Sequence, residues 1–163
     1  MITLSVFGNL LEQWKDILYT LCISMVPVIE LRGAIPVGLG LGLPLWLSVT
    51  VSIIGNLIPV PFIIIFIKKI FALMRRWKKL DGIVTKLENR AEKKSETVKK
   101  YAFWGLFIFV AIPLPGTGAW TGSLIAAMLD MPLKKAFPSV LLGVLTAALI
   151  VSIVSYGAFS IFA

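Results

Sequence analysis

Runs of apolar residues and the breaks between them organise this chain. From Gly33 to Ile67 about 35 residues pass without a charge, too many for one bilayer crossing of roughly 20 and too few for two crossings with a turn between them. Pro44, in GLGLGLPLW, divides the run. Leu45 to Ile67 is then long enough to cross, whereas Gly33 to Leu43 has about half the required length. Ahead of it, Ile17 to Ile29 is a second half-length apolar piece of about 13 residues. Together they predict a re-entrant helical hairpin over about 17–43. It enters the membrane, turns at ELRG with its breaks at Gly33 and Pro36, and leaves by the same side.

The second half follows the same order. FWGLFIFVAI precedes the breaker run PLPGTG (Pro113 to Gly118), with breaks expected at Pro113 and Pro115; then come AWTGSLIAAML, the polar corner DMPLKK and a long apolar stretch to Ala163. Pro27 aligns with Pro113, Pro44 with Pro132 and Gly55 with Gly143, with a slip of two residues. These matches predict an internal repeat. The first membrane repeat covers 1–67 (hairpin about 17–43, span about 45–67) and the second 103–163 (hairpin about 103–130, span about 136–162). With one complete span in each, the hairpins are expected to open on opposite sides as an inverted pair, and broken helices meeting near the midplane are a recurrent way to build a transport site.

Charge fixes the orientation. Between Lys68 and Lys100 stand twelve Lys and Arg against four Asp and Glu, so this segment carries the entire net charge of +8. The chain is 58% hydrophobic and 15% charged, with a mean hydropathy of +0.95. In such a chain a basic run reads as a cytoplasmic loop, over 68–102, and not as a nucleic-acid patch. Ile70, Phe71, Met74 and Trp77 recur at helical spacing opposite basic residues, which suits a helix on an anionic leaflet. Residues 83–100 read as a solvated helix with Val84, Leu87 and Ala91 on one side and Glu96 paired with Lys100. Lys134 and Lys135 would lie at the cytoplasmic mouth of the second hairpin. The first residues, MITLSVFGNLLEQWKDI, lack the basic start of a secretory signal, so the whole chain is expected to be mature protein. The composition thus describes an all-α, multi-pass protein of the inner (cytoplasmic) membrane, with membrane lipids as surroundings.

Histidine is absent and Cys22 is the single cysteine. That removes the commonest metal ligand, the histidine-activated nucleophiles and any intrachain disulfide, and no phosphate-binding loop is present. No enzyme activity, metal or cofactor is expected, and any proton coupling falls to carboxylates. Glu30 and Arg32 stand out, because a charge at bilayer depth costs on the order of 3 kcal/mol unless it is paired or wetted. Two readings stand side by side. The pair neutralises itself or caps backbone at the turn, or Arg32 holds an anionic head through its planar fork while Glu30 takes up a proton. In the second hairpin Gly116 and Gly118 permit a turn that points helix amides at the membrane interior, with Thr117 and Thr121 adding hydroxyls. Equally, Gly118 and Gly122 have the spacing of closely packed helices, and Gly38, Gly40 and Gly42 read mainly as packing. Asn56 reads first as a bridge between helices, and Asp130 as a solvated corner residue.

VPVIELRGAIPVGLGLGLP and PLPGTGAWTGSLIA, each followed by a span, resemble the small multidrug export proteins, a prokaryotic family related to DedA or VTT-type membrane proteins. The resemblance covers nearly the whole chain and implies two oppositely oriented re-entrant hairpins, each packed with a spanning helix. It also implies transport. DedA-type relatives are associated with proton-dependent drug resistance and with recycling of a polyprenyl phosphate lipid, although they place arginines in the second hairpin and residues 103–133 here have none. The function expected is a secondary transporter or flippase for an amphiphile, proton-coupled, with a phosphate-bearing lipid slightly ahead of a hydrophobic drug cation. A membrane anchor whose basic loop binds anionic lipid or a partner is the alternative of another class. One chain has few spans, and a homodimer would shield the hairpins from lipid.

Overall fold

The computed structural model describes residues 13–76, 81–89, 92, 101–114 and 116–162. Among them the secondary structure is helical throughout: α1 (Trp14–Met25), α2 (Glu30–Gly40), α3 (Leu45–Leu57), α4 (Pro59–Met74), α5 (81–89), α6 (Phe103–Ala111), α7 (Ala119–Met128) and α8 (Leu133–Phe162). Helices α3 and α4 continue one another, and Leu45–Met74 and Leu133–Gly157 are each long and apolar enough to cross a membrane. The first long helix therefore runs past Ile67 and takes Ile70, Phe71 and Met74 into its last turns. Trp77, Ala91, Pro115 and the Glu96–Lys100 pair lie outside the described residues. Backbone contacts divide the chain into two compact units, Met1–Asn56 with Ala148–Ala163, and Leu57–Ala147.

In the first unit α1 and α2 form a helical hairpin. Helix α1 stops because Val26, which precedes Pro27, is held extended at φ −73°, ψ 129°, a conformation that a following proline favours. Val28 and Glu30 then take positive φ, 83° and 52°, and reverse the chain. The turn thus lies at 26–29, ahead of the breaks expected at Gly33 and Pro36. Both of those residues are inside α2. Each is tolerated there: Gly33 N–H keeps its bond to Ile29 O, 3.1 Å, and proline lacks only the one amide it would have donated. Helix α3 rises alongside α1. Leu43, Leu47 and Val51 pack on Ile17 and Leu21, and a Cβ at Gly55 would stand 1.9 Å from Ser24 Oγ and 2.7 Å from Leu21 O. Gly38 meets Ser48 in the same close way, whereas Gly40 faces open space and Gly42, at φ +89°, serves the turn after α2.

The second unit contains the same local bonds 88 residues later. After α2, Leu43 N–H bonds Gly38 O and Gly42 N–H bonds Leu39 O; after α7, Met131 N–H bonds Ala126 O and Asp130 N–H bonds Ala127 O. Each set closes a helix through a left-handed residue, Gly42 in one and Asp130 (φ 53°) in the other. The next helices start alike, on Pro44 O accepting from Leu47 and Ser48 and on Pro132 O accepting from Lys135 and Ala136. Gly143 lies against Val110 and Phe107 O, the residues 86 places after Ser24 and Leu21. The offset changes from 86 to 88 within the turns, where the second has Leu114 and Pro115 in addition.

Val28 is a β-branched residue at φ 83°, 80% exposed, where the corresponding turn has Gly116 at φ 78°. Strain of this kind costs about 1–3 kcal/mol, and relief offsets the extra chain entropy of glycine. Val28→Gly is expected to raise the unfolding temperature of the detergent-purified protein. A fall would mean that the valine side chain is held by contacts worth more than the strain.

Candidate functional site

Glu30 opens α2 and is buried, with 3% of its surface exposed. Arg32, two residues on, lies within the same first turn of α2, half-buried, and the two side chains attract each other electrostatically. Together they form the charged centre of the first unit. The other charged side chains described in this unit, Lys15 and Asp16, lie on the first turn of α1.

Correspondence with the second unit shows what is special about the acid. Glu30 occupies the position of Gly118, both in the left-handed range of φ, 52° and 131°, and both buried at the start of a helix. Left-handed backbone is easy for glycine and strained for glutamate. The second turn thus has glycine where the first has a buried carboxylate.

The second turn is uncharged. Gly116 and Gly118 supply its positive φ values, 78° and 131°, and the first-turn amides of α7 point back toward it. Thr117 Oγ1 lies 2.7 Å from Ile112 O and 2.9 Å from Leu114 O, so its hydroxyl donates within the turn itself. Thr121 is half-buried in the first turn of α7, and Pro113 stands between α6 and the turn. Gly122 is a packing residue: a Cβ there would be 2.5 Å from Val110 Cγ2. The structure thus groups Glu30 with Arg32 in one unit and Gly116, Thr117, Gly118 and Thr121 in the other.

Polar residues buried along α3 had no place in the sequence expectations, apart from Asn56. Ser48, Ser52 and Asn56 recur every four residues on one face and are each fully buried. Ser48 Oγ donates to Ile35 O, 2.9 Å. The hydroxyl of Ser52 and both ends of the Asn56 amide have no hydrogen-bond partner among the described residues, so the bridge expected of Asn56 is not formed there. On α1, Thr20 and Ser24 are buried as well and bond the carbonyls of Asp16 and Leu21. The four-residue spacing of Ser48, Ser52 and Asn56 was the signal in the sequence.

The second unit also holds a cavity of about 290 Å³ lined by Ile67, Lys68, Phe71, Arg75, Glu88 and Met128. Ion pairs border it. Lys68 Nζ lies 2.5 Å from Asp130 Oδ1, and Arg75 pairs with Glu88 and, at 3.7 Å, with Asp81. Asp130 is exposed, as its reading as a corner residue anticipated, and its partner is on α4. These are single ion pairs with largely solvent-exposed members, and such pairs contribute little to stability.

Residues 30–150 match the model of a protein family described as "Putative small multi-drug export protein". The chain belongs to that family. The matched region begins at Glu30 and includes Arg32, the Ser48–Asn56 face, the basic segment and the whole second hairpin. No curated protein and no solved structure matches the chain. Membership in the export family, with two helices apolar and long enough to cross a bilayer, makes this a membrane protein of a transporter class.

Proposed function

We propose that this chain is a secondary transporter that exports small amphiphilic molecules, with Glu30 as the proton-carrying group and Arg32 as its internal counter-ion. The observation that carries the reading is Glu30 itself, buried and strained where the corresponding turn has glycine. A residue kept against both desolvation and backbone preference has a use beyond the fold. The carboxylate is well suited to exchange: a proton and a cationic cargo each compete with Arg32 for it, so that taking up one disfavours the other.

The recurrence of helix closures, proline starts and glycine contacts 86–88 residues apart supports a repeat of hairpin plus span. Helices α1, α2, α6 and α7 have 12, 11, 9 and 10 residues, about half a bilayer crossing, which supports re-entrant hairpins. With one span per repeat and the basic segment in the cytoplasm, the repeats are inserted in opposite senses, the arrangement of many alternating-access carriers. The exposed cations Lys68, Lys69, Arg75 and Arg76 face anionic lipid at that surface.

The family description favours a hydrophobic drug as cargo. Arg32 keeps a phosphate-bearing lipid as the second reading, since a guanidinium binds two phosphate oxygens at once. Proteoliposomes with an imposed pH gradient test both. Gradient-dependent movement of a cationic dye is expected, and movement of a fluorescent phosphate lipid alone would install the second reading; transport of neither would remove the transporter assignment. Topology is a separate check. A reporter fused at the C-terminus is expected outside the cytoplasm, and a cytoplasmic reporter would refute the inverted arrangement.

A further inference from the structure

Ser52 and Asn56 pose a problem that the charged pair does not solve. Both are fully buried, and three functional groups, the serine hydroxyl, the amide N–H₂ and the amide oxygen, have no partner among the described residues. Buried amides and hydroxyls are hydrogen-bonded in the great majority of proteins, because an orphaned group loses its water without compensation. Ser48, four residues earlier on the same face, obeys that rule through Ile35 O.

Depth supplies the second part. Helix α3 climbs in step with α1: Leu47 and Val51 are packed on Ile17 and Leu21, and Gly55 touches Leu21 O and Ser24. Asn56, the next residue, is therefore level with the end of α1, where the chain turns into Glu30. The neutral pair and the charged pair share the closed end of one hairpin.

We propose that Ser52 and Asn56 form a neutral recognition subsite beside the Glu30–Arg32 centre, taking a cargo group that both donates and accepts hydrogen bonds, such as an amine, hydroxyl or carboxamide. The proposal rests on the transport reading above and names a feature of its cargo. The amide oxygen accepts from the ligand N–H or O–H, while the amide N–H₂ and the serine hydroxyl meet an acceptor. A site that leaves such groups orphaned when empty discriminates strongly against analogues that cannot bond them. Lipophilic cations without donors would be held by the charged centre alone.

Two hydrophobic cations separate these contributions: ethidium, which carries two aryl amines, and tetraphenylphosphonium, which carries no donor. Binding of each to the detergent-purified full chain is measured for the parent, Asn56→Leu and Ser52→Ala. Asn56→Leu is expected to weaken ethidium by about tenfold or more and to leave tetraphenylphosphonium equal or tighter. Ser52→Ala is expected to weaken ethidium to a smaller extent with the same selectivity. Thermal unfolding of ligand-free Asn56→Leu should occur at or above the parent temperature, because an orphaned amide has been replaced by an apolar side chain of similar size. Parallel changes for both probes, or none for either, would overturn the subsite. A lower unfolding temperature would also overturn it, since the amide would then be holding ordered water or a helix. A parent that binds neither probe sinks the transport reading together with this one. Asn56-dependent ethidium binding that survives Glu30→Gln and Arg32→Ala would remove only the role given to the charged pair.

Discussion

Proteoliposomes carrying Glu30→Gln are expected to show no more pH-gradient-driven dye movement than protein-free liposomes, while the protein still inserts. Glutamine has the shape of glutamate but can neither carry a proton nor offer a cation a negative charge, so the substitution removes the exchange while keeping the size of the side chain. It also leaves the half-buried Arg32 guanidinium without its anionic neighbour, and removing one partner of a charged pair in an apolar interior is destabilising. A stability loss is therefore expected with Glu30→Gln alone and should be reduced in Glu30→Gln with Arg32→Gln. Glu30→Gly provides the control for the backbone. Gly118 holds the corresponding position, so Glu30→Gly removes left-handed strain as it removes the charge and should form the turn without difficulty. If Glu30→Gln transports like the parent, the carboxylate is not the coupling group and Glu30 with Arg32 is a structural pair.

The second large effect is expected at Gly55 and Gly143. A Cβ at Gly55 would stand 2.7 Å from Leu21 O, and one at Gly143 would stand 3.0 Å from Phe107 O and 2.6 Å from Val110 Cβ. Backbone carbonyls cannot rotate away as a side-chain tip can, so the helices must separate. Overpacking of this kind costs about 1–3 kcal/mol for modest additions, and leucine adds much more than a methyl group. Gly55→Leu and Gly143→Leu should each reduce the yield of monodisperse protein and lower its unfolding temperature sharply. Gly40→Leu, which meets nothing within 4 Å, should do neither. Equal tolerance at all three positions would show that the close contacts are not sustained in the membrane.

Much of this architecture was legible in the order of apolar runs. Pro44 and Pro132 marked real helix starts, and the alignments of Pro27 with Pro113 and Gly55 with Gly143 anticipated contacts that recur in both units. The turn was misplaced by a few residues because the charges of ELRG drew attention to themselves. What ends α1 is Pro27, acting on the residue before it, and glycine and proline within α2 are compatible with a helix once the chain has already turned. The first long helix overran Ile67 because charge does not break helices: Lys68, Lys69 and the apolar residues among them continue the same face. At the site, the charged pair could be read from its cost in lipid. The serines of α3 show in the sequence only through their four-residue spacing with Asn56, because a single serine in an apolar run stands out only once burial shows that its hydroxyl has no water.

Gly42 and Asp130 close corresponding helices, as Glu30 and Gly118 open them, and in each case one member of the pair is a glycine. Two stretches that share a backbone can afford this division of labour: the copy that keeps glycine preserves the geometry, and the other is released to acquire chemistry at the same point. The two acids lie at opposite ends of their hairpin arms, Glu30 buried at the turn and Asp130 exposed at the far end with Lys68. The joints of the scaffold are thus where a charged side chain can stand in place of glycine, while the packed faces between them are held to small residues such as Gly55 and Gly143.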